Sequence, residues 1–373
     1  MEIKVGRNDL FKIISRVQSI IEKRSNMPIL SNVLITAAGT EIHVSATDLE
    51  LSYLEIIPGV IIDEGSLTIS GRKLFEILKE SRADEFYIKE KENNWVFISD
   101  NIARFDLACL SAEDYPSSFE PEGVLFADID GENVSEMINK TIYSATVEDA
   151  GYNLSGIFTE KIITEGEKGF KLRMVSTDGH RLSMVDRYFE ELENLYLEKG
   201  VMIPKKGMIE INKMASDGGR LSLGFKEKNC VVKKENAQLV IRLLDSKFPD
   251  YNAVIPKEMD FSINVSRILF LEAMRKMMIL SNERYRAVKI GIENNQMELV
   301  STNPDLGEAR ENIKVEYNGK RLEAGFNPRY FIDALQSMQS EVINIGFIDN
   351  SKPCVLTGEA DEGFLGLIMP MRV

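Results

Sequence analysis

Apolar positions near the start of the chain recur every three or four residues, which predicts an amphipathic helix from about residue 8 to residue 24. The apolar members of this pattern are Leu10, Phe11, Ile13, Ile14, Val17, Ile20 and Ile21. The opposite side of the same helix carries the polar residues Lys12, Arg16, Ser19 and Lys23. We expect the apolar stripe to pack on sheets of the same chain and the polar line to face outward.

Other segments alternate between apolar and polar positions, a pattern typical of strands with one buried face. Clear examples are residues 95–98 and 105–110. Antiparallel sheets are therefore expected beside the helices.

One order of elements occurs three times: a helix, an apolar strand, a polar turn, and a strand that ends in threonine with Asp or Asn. The three strand ends are Thr47-Asp48, Thr177-Asp178 and Thr302-Asn303. The threonines are 130 and 125 residues apart, so the period is close to one domain length. Because the pair recurs, we expect its side chains to close a turn through local hydrogen bonds.

The second half of each copy repeats as well, as a strand that runs into a helix at residues 69–75, 203–209 and 326–331. Each copy is therefore expected to hold two helices and, at ordinary strand lengths, roughly eight strands. The predicted fold class is α+β, with three repeated domains of two helices on antiparallel sheets. The predicted domain limits are 1–124, 125–253 and 254–373.

Length and composition agree with a folded protein of two or three domains. The chain has 373 residues, 44% hydrophobic and 28% charged, and no apolar run approaches a membrane span. Its first residues mix charges before any apolar stretch, unlike a secretory signal, so a cytoplasmic location and no membrane partner are expected. Cys109, Cys230 and Cys354 lie far apart and the chain has two histidines, so we expect reduced thiols, no metal site and no cofactor.

The formal net charge of −14 speaks against nucleic-acid binding when it is taken alone. Charge can be unevenly distributed, however, and the first helix places Lys12, Arg16 and Lys23 on one line that contains no carboxylate. Such cations on a rigid helix suit contact with phosphates of any base sequence. A solvated helix face is the alternative interpretation.

Geometry limits what one chain could enclose. Six helices spaced at roughly 9 Å form a circle about 17 Å across their axes, which is too narrow for duplex DNA. Twelve helices give roughly 34 Å between axes and leave about 23 Å clear. Two chains of three domains would therefore be needed to surround a duplex.

The residues also resemble a known family, the beta subunit of bacterial DNA polymerase III, or sliding clamp, from end to end. The most specific strings are Met27-Pro28-Ile29-Leu30-Ser31-Asn32, Thr177-Asp178-Gly179-His180-Arg181-Leu182, Phe248-Pro249-Asp250-Tyr251, Leu280-Ser281-Asn282-Glu283 and Met369-Pro370-Met371-Arg372. The resemblance implies three domains of the DNA clamp type in a ring-shaped, head-to-tail homodimer that encircles double-stranded DNA without sequence preference. It also implies tethering of DNA polymerase III and other polymerases for processivity, loading by a separate clamp loader, and no catalytic activity.

The resemblance further implies which residues act. A groove for short peptide motifs of partner proteins is expected from Leu154, Thr177, Gly179, His180, Arg181, Leu182, Pro249, Val254, Tyr285, Asn327, Tyr330, Leu367, Met369, Pro370, Met371 and Arg372. DNA contact is expected from Arg24 first, with Tyr152 and Asn153, and then from Lys12, Arg16, Lys23, Arg72 and Lys206. The dimer interface is expected to join Phe105 and Leu107, on an edge strand of the first domain, to Ile279 and Leu280 of the third.

Two other functions are compatible with parts of the sequence. Thr177, Asp178 and His180 superficially suggest acid-base or nucleophilic catalysis. Residues this close along one turn do not easily converge on one substrate atom, and no phosphate-binding loop or carboxylate pair accompanies them. A repeat-built interaction scaffold that never touches DNA is the second alternative and would suit the negative net charge.

Overall fold

The computed structural model describes residues 1–21, 26–117, 122–146, 154–163, 169–281 and 287–371 of the chain. These residues form six α-helices and 25 strands, and the strands pair in antiparallel sheets. The predicted α+β class is confirmed. Within the described residues, no helix is long and apolar enough to cross a membrane.

The elements repeat three times along the chain, and we call the three sets the first, second and third copy. The first copy has helices α1 (Arg7–Val17) and α2 (Gly71–Glu80) and strands β1 (Glu2–Gly6), β2 (Asn32–Ala38), β3 (Glu41–Thr47), β4 (Leu51–Ile57), β5 (Gly59–Asp63), β6 (Gly65–Ser70), β7 (Glu85–Lys91), β8 (Trp95–Ser99) and β9 (Arg104–Ala108).

The second copy has helices α3 (Gly131–Thr141) and α4 (Lys205–Ala215) and strands β10 (Phe126–Asp130), β11 (Gly156–Ile163), β12 (Phe170–Thr177), β13 (Arg181–Phe189), β14 (Val201–Pro204), β15 (Arg220–Lys226), β16 (Asn229–Lys234) and β17 (Ala237–Arg242). The third copy has helices α5 (Arg267–Leu280) and α6 (Pro328–Ser337) and strands β18 (Phe261–Ser266), β19 (Val288–Glu293), β20 (Gln296–Asn303), β21 (Gly307–Lys314), β22 (Leu322–Phe326), β23 (Val342–Phe347), β24 (Cys354–Gly358) and β25 (Phe364–Ile368). The expected two helices and roughly eight strands per copy are found in the described residues.

Each copy contributes two half-sheets of four strands. The leading half-sheets have the strand orders β6-β2-β3-β4, β14-β11-β12-β13 and β22-β19-β20-β21, and the trailing half-sheets have the orders β1-β7-β8-β9, β10-β15-β16-β17 and β18-β23-β24-β25. Strand β4 pairs with β17, and β13 pairs with β25, so neighbouring copies share two eight-stranded sheets. Strand β5 adds to β1, and both β9 and β21 end their sheets as edge strands.

The chain groups into two compact units. Unit 1 comprises residues 1–128, 194–196 and 220–243, and unit 2 comprises residues 129–193, 197–219 and 244–373. These limits differ from those of the predicted domains, because the second copy shares its two half-sheets with different neighbours. The domain limits 1–124, 125–253 and 254–373 therefore stay a prediction.

The first helix is shorter than the hydrophobic pattern indicates. Helix α1 ends at Val17, so the predicted continuation is wrong at residues 18–21, and residues 22–24 lie outside the described residues. The side-chain amide of Gln18 donates to the carbonyls of Ile14 and Gly71, at 3.0 and 3.1 Å, and so satisfies backbone acceptors at the helix end. Ile20 and Ile21 are buried within the turn that follows, so their apolar character continued the pattern without continuing the helix.

Candidate functional site

A tight turn between β12 and β13 forms the centre of the predicted groove. The Thr177 hydroxyl donates to the Arg181 carbonyl at 2.6 Å and accepts the Gly179 N–H at 3.1 Å. One carboxylate oxygen of Asp178 accepts the backbone N–H groups of His180 and Arg181, each at 3.0 Å. Gly179 has a φ of +83°, the left-handed region that lets the chain reverse so sharply.

The first copy closes the same turn with the same bonds. The Thr47 hydroxyl donates to the Leu51 carbonyl at 2.8 Å, and Asp48 accepts the N–H groups of Glu50 and Leu51 at 2.9 and 2.6 Å. The third copy differs, because Asn303 alone accepts, from the Asp305 N–H at 3.0 Å, while the Thr302 side chain is exposed. The predicted turn closure is thus found in full in two copies and in part in the third.

An apolar cavity of about 250 Å³ lies beside this turn in unit 2. Its lining residues are Leu154, Thr177, Gly179, Arg181, Leu182, Pro249, Asp250, Tyr251, Val254, Leu367 and Met369. The geometry therefore brings together nine of the residues predicted for the groove. Such a cavity, with a polar rim at one end, suits an aliphatic or aromatic side chain of a bound peptide.

Strand pairing explains how residues so far apart in sequence meet. Strand β13 pairs with β25 so that Leu182 faces Leu367, and the Met369 N–H donates to the His180 carbonyl at 2.9 Å. A core cluster of Val175, Leu182, Tyr251 and Leu367 supports the cavity floor. The shared sheet of the second and third copies thus builds the groove.

The corresponding pairing in unit 1 carries different side chains. There the Arg242 N–H donates to the Glu50 carbonyl at 2.8 Å, in the place of Met369 and His180. Leu49 stands in the place of Gly179 and is half exposed, with a φ of +76°. The same scaffold therefore lacks the apolar and small residues that form the groove in unit 2.

Arg181 connects the turn to the third copy. Its guanidinium donates to Asp178 at 3.0 Å, to Asp333 on α6 at 2.7 Å, and to the Tyr143 carbonyl at 2.7 Å. The same group lies 4.6 Å from the centroid of the Tyr330 ring, a cation–π distance. Arg181 is thus fixed in orientation on several sides.

The remaining predicted groove residues lie around this centre. His180 and Tyr330 place their rings nearly parallel, with centroids 6.4 Å apart, and the Asn327 side chain accepts the Arg329 N–H at the start of α6. Pro370 and Met371 line a second, more polar cavity of about 590 Å³. Tyr285 and Arg372 lie outside the described residues.

Two cavity residues, Asp250 and Tyr251, were not predicted as site residues, although they belong to one of the strings that carry the family resemblance. The Tyr251 hydroxyl donates to Glu160 and accepts from Arg173 at 3.1 Å. Burial raises the pKa of Tyr251, and the hydrogen bond to Glu160 raises it further, so the phenol stays neutral. Tyr251 is thereby fixed as an apolar wall with its hydroxyl turned into a polar network.

The residues predicted to contact DNA differ from one another in exposure. Lys12 and Arg72 are exposed on α1 and α2, and Arg72 donates to Glu76 at 3.1 Å. Lys206 is half-buried on α4. Lys23, Arg24, Tyr152 and Asn153 lie outside the described residues.

Arg16 is already engaged within unit 1. It donates to the Tyr53 hydroxyl at 2.9 Å and lies 3.6 Å from the Glu55 carboxylate, with 16% of its side chain exposed. Arg16 is therefore paired with a carboxylate from outside the helix, and its contact with DNA stays a prediction. The opposing carboxylate comes from β4, a partner that spacing along the helix could not reveal.

Charge is nevertheless distributed as the sequence suggested. The six helices together carry a net charge of +6, whereas the whole chain carries −14. Of the pairs within one copy, α1 and α2 are the most basic, with a net charge of +3, whereas α3 alone is net negative. The helices therefore differ in sign from the rest of the chain.

The residues predicted for the dimer interface lie at open positions. Phe105 and Leu107 are half-buried on the edge strand β9. Ile279, at the end of α5, is 76% exposed, and Leu280 beside it is half-buried. An exposed isoleucine and an uncovered edge strand are both features of interaction surfaces.

The part of the chain that the structure describes shows neither a cluster of metal-binding side chains nor a thiol with a lowered pKa. No group of three or more His, Cys, Asp or Glu side chains there is arranged to hold a metal ion. Cys230 and Cys354 are fully buried, and burial raises the pKa of both thiols well above their ordinary value. Burial also raises the pKa of the half-buried Cys109, to about 11.

Three copies of two helices on shared antiparallel sheets, a basic set of helices and one apolar groove define the class of DNA clamps. Comparison with known proteins identifies the family. The N-terminal, central and C-terminal domain models of the DNA polymerase III beta subunit match residues 1–119, 128–250 and 252–372. The chain therefore belongs to the DNA polymerase III beta subunit family.

Individual relatives agree over their full length. The chain is 30% identical to the beta sliding clamps of Pseudomonas putida and Caulobacter vibrioides, with 100% of each chain covered. Among solved structures, it is similar to the sliding clamp of Bartonella birtlesii bound to griselimycin, with 31% identity, a TM-score of 0.93 and full coverage of both chains. The Pseudomonas aeruginosa DNA polymerase III subunit beta gives 29% identity, full coverage of both chains and a TM-score of 0.92. The function is thus that of a DNA sliding clamp for polymerase processivity, and no observation supports the DNA-independent scaffold.

Proposed function

We propose that two copies of this chain join head to tail into a closed ring that surrounds duplex DNA and holds partner proteins through the groove in unit 2. The observation that carries this proposal is the pattern of half-sheets. Each leading half-sheet pairs with the trailing half-sheet of the next copy, except that β21 and β9 remain edges. The same pairing between two chains would complete the pattern.

The two open edge strands also support a head-to-tail arrangement of the two chains. Because β9 and β21 are different strands, their pairing is heterologous, and a closed assembly requires each chain to contribute one of each. Ile279 and Leu280 end α5, which packs on β21, so apolar side chains would accompany the strand pairing. Burying two open edges also removes a site of uncontrolled association.

The basic helices support DNA contact without sequence preference. A net charge of +6 on the helices would attract phosphates, while the acidic remainder of the chain would not compete for them. Exposed Lys12 and Arg72 are the best placed of the described candidates. Arg24, Lys23, Tyr152, Asn153 and Lys206 stay candidates on the family resemblance.

The groove supports the binding of short peptide motifs from polymerases and other replication and repair proteins. Its apolar lining would accept aliphatic or aromatic anchors, and Arg181 and His180 would provide polar contacts at its rim. A separate clamp loader would open the ring and place it on DNA. A chain with these tasks would act in the bacterial cytoplasm, where its DNA lies.

We infer that the chain has no catalytic activity of its own. The Thr177 hydroxyl and the Asp178 carboxylate form the hydrogen bonds that close the turn, and Asp178 also binds Arg181. His180 is thereby left without the carboxylate that would orient it as a base. Turnover that is lost on His180→Ala would contradict this inference.

The decisive experiment measures retention on DNA of different topology. The purified chain is loaded onto nicked circular duplex DNA with a clamp loader and separated by gel filtration in high salt. We expect it to stay on the circle and to leave when a single restriction cut makes the DNA linear, because a ring holds by topology. Equal retention on both forms would contradict the proposal and indicate ordinary affinity.

A further inference from the structure

We propose that Asp333 is a positioning residue of the peptide groove, acting through Arg181 and Tyr330 without contacting the peptide itself. This inference rests on the proposed peptide-binding function of the groove. Asp333 does not line the apolar cavity. Its side chain is 12% exposed and lies on α6, a helix of the third copy.

Asp333 binds Arg181 from α6, outside the turn. Its carboxylate accepts from Arg181 at 2.7 Å, whereas Asp178, within the turn, accepts from the same guanidinium at 3.0 Å. The two carboxylates belong to different copies, so Arg181 bridges the β12–β13 turn and α6. A charge-assisted contact in a mostly buried position restricts orientation more than an exposed ion pair does.

Tyr330 is the groove residue that depends on this bridge. It precedes Asp333 by three residues on α6, so both side chains lie on one face of the helix. The Arg181 guanidinium lies 4.6 Å from the Tyr330 ring centroid, and the His180 ring is nearly parallel to that ring, with centroids 6.4 Å apart. Fixing Arg181 therefore also fixes the aromatic pair of Tyr330 and His180 beside the cavity-lining Arg181.

Pre-organisation of a binding surface raises affinity because fewer side chains must be ordered when the ligand binds. Without the Asp333 carboxylate, Arg181 keeps Asp178 and the Tyr143 carbonyl as acceptors but loses its ion pair with α6 and is left with the weaker ring contact to Tyr330. We expect the groove to remain present but loosely arranged. Peptide affinity should then fall while the fold persists.

The test uses a fluorescein-labelled decapeptide with a central Leu-Phe pair between polar residues, and measures its binding to the full chain by fluorescence anisotropy. We expect Asp333→Ala to weaken binding about tenfold, and Asp333→Glu to restore part of the loss. Arg329→Gln is the matched control, because Arg329 is the exposed partner of Asp333 on the same helix, at 2.9 Å. The control should bind the peptide as the wild type does.

A double-mutant cycle separates positioning from general destabilisation. If Asp333 acts through Arg181, then adding Asp333→Ala to Arg181→Ala causes no further loss of peptide affinity. Additive losses, or unchanged affinity in Asp333→Ala, would overturn the proposal. Asp333→Asn serves in the same cycle if the alanine variant does not fold.

The proposed function can fail separately from this inference. If the wild type does not bind the peptide, or binds it equally well when the cavity is closed at Gly179, then peptide binding in the groove is refuted. If the wild type binds and the cavity variant does not, but Asp333→Ala binds normally, only the positioning role is refuted.

Discussion

Leu49 and Gly179 adopt the same left-handed backbone conformation in two copies of one turn, with φ values of +76° and +83°. The turn itself therefore accepts a leucine. No atom lies within 4 Å of a Cβ built on Gly179, and the residue lines the apolar cavity. The glycine thus keeps the groove open, a role distinct from forming the turn.

Gly179→Leu should close the groove without unfolding the chain. A non-glycine residue in the left-handed region costs about 1 kcal/mol, so denaturant unfolding should shift only slightly. Peptide affinity, measured by anisotropy, should fall by at least about tenfold, or about 1.4 kcal/mol. The matched control is Leu49→Gly, which should leave peptide binding unchanged. Peptide affinity retained in Gly179→Leu would argue against the cavity as the binding site.

Sequence patterns predicted the copies, the fold class and much of the groove, since these depend on local periodicity and on strings that carry the resemblance. They could not predict that Asp333 would approach Arg181, because 152 residues separate the two in the chain. Strands β13 and β25 are just as far apart in the sequence, so their pairing could not be predicted either. Strand partners are chosen by the assembled sheets, and alternation along one strand gives no information about them.

The first helix shows the same limitation at short range. Ile20 and Ile21 continued its apolar spacing because they are buried, although they lie in a turn. The carboxylate that pairs with Arg16 comes from β4, so the spacing of residues along the helix could not predict it. Apolar spacing thus predicts which residues are buried more reliably than it predicts whether they lie in a helix or in a turn.

Arg16→Met should lower stability more than it affects DNA binding. Glu55, which is 14% exposed, would lose its cation, and the Tyr53 hydroxyl would lose one partner. Leaving such groups unpaired costs about 1 to 3 kcal/mol, which urea unfolding would measure. Lys12→Met, on the exposed side of α1, should leave the unfolding midpoint unchanged. Equal stability of the two variants would contradict the structural role of Arg16.

Exposed cations of the first two helices should set the salt dependence of DNA retention. Lys12→Glu combined with Arg72→Glu should weaken contact with duplex DNA, most of all at low salt, because repulsion replaces phosphate contact and salt screens that repulsion. If each cation neutralises one phosphate, their removal lowers the slope of log affinity against log salt by roughly 1.8. Lys4→Glu, which changes an exposed cation on strand β1, should leave the slope unchanged. The same slope in the double variant would exclude these two contacts.

Ile279→Lys should weaken self-association of the chain. A lysine at a position that is 76% exposed costs little in the separate chain, but in the proposed interface its charge would be buried without a partner. Sedimentation velocity should show a dimer dissociation constant at least about tenfold higher. Ile268→Lys, at the other end of α5, is the control and should remain dimeric. The single tryptophan, Trp95, faces Ala108 on the edge strand β9, so its fluorescence offers a second measure of dissociation.

The buried Lys140 should determine the acid stability of unit 2. Its ammonium group contacts Glu136 and lies 2.8 Å from Asp361, and the side chains of Lys140 and Asp361 are both fully buried. Burial opposes ionisation of Asp361, but hydrogen bonds from Lys140, Ser340 and backbone N–H groups outweigh it and hold the pKa below its ordinary 3.8. Burial likewise raises the pKa of Glu136, but hydrogen bonds from Lys140 and Arg187 outweigh burial and hold that pKa below its ordinary 4.5.

Carboxylates with lowered pKa values stabilise the folded state above their ordinary pKa, and this contribution is lost as pH falls below it. The wild type should therefore keep its stability down to about pH 5 and lose it progressively below about pH 4. Lys140→Met should cost about 3 to 5 kcal/mol at pH 7, because it leaves the buried Asp361 carboxylate without its cation.

The pH dependence of Lys140→Met should be weaker than that of the wild type below about pH 5. Without the ammonium group, burial of Asp361 is opposed by the hydrogen bonds from Ser340 and the backbone N–H groups, so the pKa of Asp361 lies above its wild-type value and less stability is lost as pH falls. Urea unfolding at several pH values measures both slopes. Lys73→Met, which removes an exposed ion pair with Glu76, should change stability by less than about 1 kcal/mol and keep the wild-type slope. A wild-type slope in Lys140→Met would show that Lys140 does not hold the charge of Asp361.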